Sequence, residues 1–311
     1  MKYSDLPKIV VICGPTGVGK TSFAIAMARR FGGQIVGADS MQIYRYMTIG
    51  TAKPTAEEKA AVPHHMVDVI DPRQPFDAAL YAEQAHYIIQ GLIEHGIHVF
   101  VVGGTGLYIK ALIYGLFQSS ISNTVIRQKL RIQMGREGAA AMHTRLAAKD
   151  PKAAERIHPN DAYRILRAME VIEATGRTIS AHHRTHGFSK PRFQTLSIGL
   201  ELPREQLYAR IDRRVDAMVA AGLLEETHML IDRGYDPALK AMQSLGYRHM
   251  VDFIRGKLTW EETLRTLKRD HRRYAKRQLT WFNAVEGTHW LSPDQVQEGI
   301  GLIERFLSPA V

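Results

Sequence analysis

Residues 9–21, IVVICGPTGVGKT, constrain the fold more than any other stretch of the chain. Five β-favouring residues, from Ile9 to Cys13, run directly into Gly14, Pro15, Thr16, Gly17, Val18, Gly19, Lys20 and Thr21. This octapeptide satisfies G-x-x-x-x-G-K-[ST], and the SFAIAMARRF that follows has the apolar spacing of an amphipathic helix. A buried strand, a glycine loop and a helix N-terminus in that order make a phosphate cradle. The glycines let backbone N–H groups curl around anionic oxygens, and the helix end adds partial positive charge. Lys20 supplies a mobile full charge, and the Thr21 hydroxyl is placed to ligate Mg²⁺. The chain therefore binds a di- or triphosphate on an α/β scaffold.

The remaining pattern agrees with that scaffold. A second short strand over 34–38 ends in the polar cluster Asp39, Ser40, Met41, Gln42, on the ligand side of a parallel sheet. A loop, IGTAKP, and a short helix from Ala56 precede a third apolar segment led by His64 and His65. Asp77 is placed to N-cap a helix over 78–95, and a buried strand over 97–102 leads into Gly103-Gly104-Thr105-Gly106 and another helix. From about residue 117 the texture changes to helical patterns over 125–134, 139–149 and 161–174. One more core strand is expected over 195–200, and everything after it reads as helical. The fold expected is a P-loop-type parallel sheet flanked by helices. Its core spans 1–116 and 193–311, and a helical insertion domain spans 117–192.

Charge is distributed unevenly. The net charge of +10 favours a polyanionic partner. Between residues 117 and 192 there are fourteen Lys/Arg against six Asp/Glu. Over 265–277 seven Lys/Arg are opposed only by Asp270, and Arg265, Arg269, Arg272, Arg273 and Lys276 share a broad helical face near Tyr274, Trp281 and Phe282. Either patch alone also fits a solvated helix face, but two of them beside a phosphate loop favour nucleic acid. The single cysteine, Cys13, excludes an internal disulfide and any cysteine-rich metal site. MKYSDLPK has no apolar leader core and no run approaches membrane-spanning length, so a cytoplasmic protein without membrane contact is expected.

Adjacent His64 and His65 on a strand point to opposite faces, which favours hydrogen bonding over a shared metal. His182, His183 and His186 lack a cysteine or carboxylate partner and read as surface or RNA-facing. The strand before Gly103 does not end in the aspartate that holds Mg²⁺ in P-loop ATPases and GTPases. Asp39 is the free carboxylate beside the loop. On spacing alone it could bind metal, accept a proton from a nucleophile, or cap the next helix.

GPTGVGKT, DSMQIYR, IGTAKP, HHMVD, VVGGTGLY, NDAYRILRAMEV, SLGYR and KRQLTWF occur here in the order in which they stand in the bacterial tRNA dimethylallyltransferases, or isopentenyl-diphosphate:tRNA transferases, which the chain resembles over almost its whole length. The resemblance implies transfer of a dimethylallyl group from dimethylallyl diphosphate to N6 of the adenosine 3′ of the tRNA anticodon. The P-loop and Mg²⁺ at Thr21 would hold the diphosphate. Arg214 in RIDRRVDAM, with Arg213 as its rival, matches the family's diphosphate arginine. Asp39 matches the general base, and Thr105 a residue that positions the reacting centre. RNA contacts are implied for Ser40, Met41 and Gln42 and, in the insertion, for Arg127, Tyr163, Arg164, Ile165, Leu166 and Arg167. Further along they are implied for Gly246, Tyr247, Arg248, Lys276, Arg277, Gln278 and Trp281, in a monomeric enzyme. Two departures stand out: the segment 117–127 lacks the family's Pro-rich turn, and Asn283 replaces an arginine. A small-molecule kinase, a relative acting on free adenine nucleotides and a non-catalytic RNA-binding module are the competing readings. The first two leave the basic insertion unexplained, and the third leaves the intact phosphate loop unexplained.

Overall fold

The β-branched run ahead of the glycine loop forms β1 (Lys8–Cys13), buried along all of its length past Lys8. The computed structural model describes residues 3–116, 124–186 and 190–308. After β1 come α1 (Lys20–Arg30), β2 (Gln34–Gly37), α2 (Ala56–Ala61), β3 (His64–His65), α3 (Ala78–Glu94), β4 (Val99–Gly103) and α4 (Gly106–Tyr114). The helices α5 (Thr124–Lys149), α6 (Pro151–Arg156), α7 (Ala162–Thr175) and α8 (Ile179–His186) follow. The chain then forms β5 (Gln194–Leu200), α9 (Arg204–Ala220), α10 (Leu223–Asp232), α11 (Tyr247–Ile254), α12 (Trp260–Asn283), β6 (Thr288–Leu291) and α13 (Val296–Leu307). Among the described residues no helix is long and apolar enough to cross a membrane.

All six strands are parallel, in the order β3-β2-β4-β1-β5-β6. β1 sits between β4 and β5, with Val10 opposite Phe100 and Leu196. Cover on both faces explains why β1 and β4 read as unbroken apolar runs rather than alternating ones. One core cluster gathers Val10, Ile12, Phe23, Met27, Phe100 and Ile198 with Leu207 and Ile211 of α9, Ala275 of α12 and Ile303 of α13. The C-terminal helices therefore complete the layer begun by α1. Each fully buried large side chain in such a cluster contributes about 1.5–3 kcal/mol relative to exposure.

Two elements differ from the sequence expectation. The stretch after β5 is not wholly helical, because Thr288–Leu291 adds an edge strand to β5. At four residues with only Leu291 buried, it carries too weak an apolar pattern to read as core. The third strand shrinks to His64–His65, since Met66 and Asp68 take positive φ (61° and 58°) and turn the chain away.

The chain separates into two compact units, residues 1–113 with 192–311, and residues 114–191. Within the first, the Arg192 N–H donates to the Ile113 carbonyl at 2.7 Å, so the chain leaves and returns at one point. Residues 117–123, most of the segment that departs from the family's Pro-rich turn, lie outside the described residues. In the second unit Leu130, Met142, Leu146, Ala154, Ile165, Ala168 and Met169 form a core of their own. Gly138, at φ 81° and ψ 164°, breaks α5 into the two helical stretches that the sequence pattern separates. Asp150 is buried there; its Oδ1 caps α6 through the Ala153 N–H (3.2 Å), and its Oδ2 accepts from the Ser180 N–H in α8 (2.9 Å). Asp150→Ala should lose the cap and strand a buried N–H. We expect thermal unfolding to register a destabilisation of about 2–3 kcal/mol, with no change in binding of inorganic diphosphate by the core.

Candidate active site

The glycine loop leaves β1 through Gly14 at φ 139°, where a Cβ would lie 2.5 Å from the Leu200 carbonyl oxygen. Only glycine fits. Gly19, left-handed at φ 110°, caps α1. Lys20 Nζ donates to the Pro15 carbonyl at 2.7 Å and so lies across the loop. Arg210 of α9 donates from Nη1 to the Val18 carbonyl at 3.1 Å, bracing the loop from outside. Thr16, Gly17, Gly19, Lys20 and Thr21 line a cavity of about 820 Å³ that Arg210 and Arg214 also face. Arg213 is exposed and does not line it, so the structure brings Arg214, not its neighbour, to the loop. Burial and the Arg214 charge pull the Lys20 ammonium down to about 8, against the opposing pull of Asp39 and Cys13. Burial lowers Arg214 as well, with Asp39 opposing. Beneath the loop, burial pushes the Cys13 thiol up to about 12, which makes it a packing residue.

Asp39, at the end of β2, lines the same cavity. Its Oδ1 accepts from the N–H groups of Met41 (2.8 Å) and Gln42 (3.2 Å), which leaves Oδ2 for the cavity. Capping and chemistry are therefore compatible at this one carboxylate. Thr105 locks the glycine turn after β4 to the same corner, because its Oγ1 accepts from the Ser40 N–H (3.1 Å) and its own N–H donates to the Ala38 carbonyl (3.1 Å). Gly103 makes this approach possible, since a Cβ there would overlap the Ala38 carbonyl. Tyr274 of α12 lines the same cavity, and burial together with the Asp39 charge raises its hydroxyl well above the usual phenol range. Arg210 is a site residue that sequence reasoning did not single out, and Tyr274 was read only as an aromatic beside the basic face of α12. Arg210 was findable as the i−4 neighbour of Arg214 on one helix face.

The loops around this corner are held from outside. Glu226 of α10 is buried and accepts from the N–H groups of Thr48 (2.9 Å), Ile49 (2.9 Å) and Gly50 (3.2 Å). Gln42 Nε2 spans to the carbonyls of Thr51 (3.2 Å) and Ala52 (3.0 Å). Lys53, its side chain 1% exposed, donates to the Tyr44 carbonyl (2.5 Å) and Asp68 (2.6 Å). The IGTAKP motif is thus a buried clasp, and it over-determines the positive φ angles of Tyr46 and Ala52 (67° and 45°).

Several residues assigned to RNA contact play another part here. Tyr247 is fully buried and donates its hydroxyl to Glu226 at 2.5 Å, so it supports the clasp; Gly246, also buried, caps α11. Gln278 is buried between the Thr16 N–H, which it accepts (2.8 Å), and the Gly104 carbonyl, to which it donates (2.9 Å). Ile165 belongs to the core of the helical unit, and Leu166 packs against that core. Arg127 and Arg167 are tied to the buried Glu170 at 3.4 and 3.1 Å. Tyr163 and Arg164 are exposed in the helical unit, and Lys276, Arg277 and Trp281 are exposed in the other. His64 and His65 are hydrogen-bonded, to the Val62 carbonyl and Gln34 Oε1, both at 2.7 Å. His182, expected on the surface, is buried with Nε2 3.0 Å from Thr175 Oγ1.

A family model described as IPP transferase matches residues 42–285. A tRNA dimethylallyltransferase of Desulfosudis oleivorans is 51% identical over 97% of this chain and 96% of its own. Another, of Desulfatibacillum aliphaticivorans, is 50% identical over 96% and 98%. The solved tRNA isopentenylpyrophosphate transferase of Bacillus halodurans superposes with a TM-score of 0.73 at 40% identity, covering 96% of each chain. A eukaryotic dimethylallyltransferase acting on tRNA superposes at 0.78 with 27% identity, covering 96% of this chain and 77% of its own.

The position of Lys20 sets a pH dependence. An anion in the loop favours the ammonium form, which the unliganded chain keeps only below about 8. Measured by calorimetry against Lys20→Arg, whose charge persists and which shares the titration of diphosphate itself, wild-type affinity for inorganic diphosphate should run parallel below that pH and fall away above it, by up to about tenfold per pH unit.

Proposed function

The chain belongs to the IPP transferase family, and on that premise we propose that it moves the dimethylallyl group of dimethylallyl diphosphate onto N6 of the tRNA adenosine immediately 3′ of the anticodon. It is a transferase that acts on tRNA. One observation carries the finer reading: the phosphate loop and a carboxylate at a strand end line a single cavity.

In the reaction the N6–C1 bond forms as the C1–O bond to the α-phosphate breaks. The electron pair goes to the departing diphosphate, and the N6 proton goes to Asp39. Charge grows on the leaving group, where Lys20, Arg214 and the loop N–H groups stabilise it without reorganising. The adenine amino group is a poor nucleophile because its lone pair is delocalised, so loss of its proton must accompany attack, and Asp39 supplies the base. Thr105 and Tyr274 border the reacting corner. A stacked base cannot reach it, so the adenosine must be extruded from the loop into the cavity. Tyr163 and Arg164, with the rest of the basic insertion, contact the anticodon stem-loop in this reading.

Mg²⁺ fits as a partner of the diphosphate. Among the described residues no group of three acidic, histidine or cysteine side chains could hold an ion alone, so the Thr21 hydroxyl would share it with phosphate oxygens and water. When bound, it would neutralise charge on the leaving group. In this reading the enzyme works as a monomer, and tRNA as substrate argues for the cytoplasm.

Labelled dimethylallyl diphosphate should pass its label to unmodified tRNA and not to AMP. Label in AMP, or ATP turnover without label transfer, would replace this reading with a free-nucleotide or kinase one. Asp39→Asn should slow single turnover by about 10²–10⁴ with little change in diphosphate or RNA binding. Rescue by added Mg²⁺ would make Asp39 a metal ligand, and a near-normal rate would remove it from the mechanism.

A further inference from the structure

The basic helix α12 contains one acid at its centre, Asp270, and that carboxylate joins two helices. Its Oδ2 accepts from Arg248 Nη2 at 2.6 Å and lies 3.3 Å from His249 Nε2, both on α11. Its Oδ1 accepts from Arg269 Nε at 2.9 Å and lies 3.7 Å from Arg273 Nη1, on α12 itself. The carboxylate is 14% exposed, whereas Arg248, Arg269 and Arg273 are 40%, 39% and 64% exposed. Asp270 and the three arginines all line the cavity that holds the phosphate loop.

Asp270 stays an anion over the working pH range. Burial would raise the Asp270 carboxyl, but hydrogen bonds from Arg269 and His249 and the Arg269 and Arg248 charges outweigh it and hold the group at about 2. Burial and the Arg248 charge lower His249, with Asp270 opposing. His271, next along α12, is pulled down to about 4 by burial and by the Arg214 and His249 charges. Three cations therefore face one anion.

We propose that Asp270 is a positioning residue that gathers Arg248, Arg269 and Arg273 into one array at the exposed rim of the cavity, to receive the sugar–phosphate backbone beside the target adenosine. The inference rests on the tRNA reading above. A free arginine loses side-chain freedom when it meets a phosphate, and an arginine already held by a carboxylate loses less. Each arginine reaches the carboxylate through one nitrogen, so its planar fork can still meet a phosphate. Simple charge counting makes the opposite claim, because an anion inside a basic patch weakens attraction for RNA. The two accounts thus differ in sign.

The test compares wild type and Asp270→Asn for binding to an anticodon stem-loop RNA over a range of salt, well below both melting temperatures. It also measures KM for dimethylallyl diphosphate. Positioning predicts about tenfold weaker RNA binding, a log–log salt slope shallower by about one, and an unchanged KM. Tighter RNA binding, or weaker binding with an unchanged slope, would overturn the proposal, since loss of helix packing alone does not change how many phosphates are neutralised. Should the asparagine variant fail to fold, Asp270→Glu keeps the charge but displaces the array, and must also weaken RNA binding; wild-type affinity there overturns the proposal. A wild-type salt slope near zero would sink the RNA reading itself, whatever the variants do.

Discussion

One buried amide ties this site together. Gln278 accepts the Thr16 N–H of the phosphate loop and donates to the Gly104 carbonyl of the turn that carries Thr105, across 262 residues of chain in the first case. Gly104 has no room for a side chain, because a Cβ would overlap the Gln278 amide. The bond to Gly104 is buried and the bond from Thr16 half-buried, and shielding from water strengthens such bonds and makes a lost partner more costly. The loop for the leaving group, the turn beside the base and the basic helix α12 therefore share one joint and cannot drift independently.

Around that joint the charges are arranged in opposition. Lys20, Arg210 and Arg214 face the cavity from the loop and α9, and Asp39 faces it from β2. The Arg214 charge lowers Lys20, while the Asp39 charge opposes the lowering of both cations. The corner bearing Asp39 is adjoined by strained backbone at Tyr46, Ala52, Met66 and Asp68, each disfavoured by about 1–2 kcal/mol. Glu226 and Lys53 offset that cost from below, through bonds to backbone groups that would otherwise be buried without partners.

The sequence made the α/β frame and the loop legible because both rest on local rules: periodicity, a glycine pattern, a cap at Asp77. The residues facing the cavity from β2 and the β4 turn were legible through motif resemblance. What was not legible is which motif residues point inward. Gln278 and Tyr247 belong to the same motifs as exposed Lys276 and half-buried Arg248, and nothing local separates a strut from a contact. That difference is set by what packs across from them, Thr16 and Gly104 in one case and Glu226 in the other. β6 escaped for the converse reason: an edge strand gains its definition from its neighbour β5, not from its own apolar content.

The bond from the Arg192 N–H to the Ile113 carbonyl has an evolutionary reading. To the sheet, the whole helical unit is one loop whose ends are already clipped together. The entropy of closing a loop grows only logarithmically with its length, so the core is nearly indifferent to how much chain is carried between those two residues. Such a neck permits grafting. A module that grips a different nucleic acid, or none, could be exchanged at this point without disturbing strand register or the phosphate cradle, so that substrate choice and group-transfer chemistry can diversify on separate schedules.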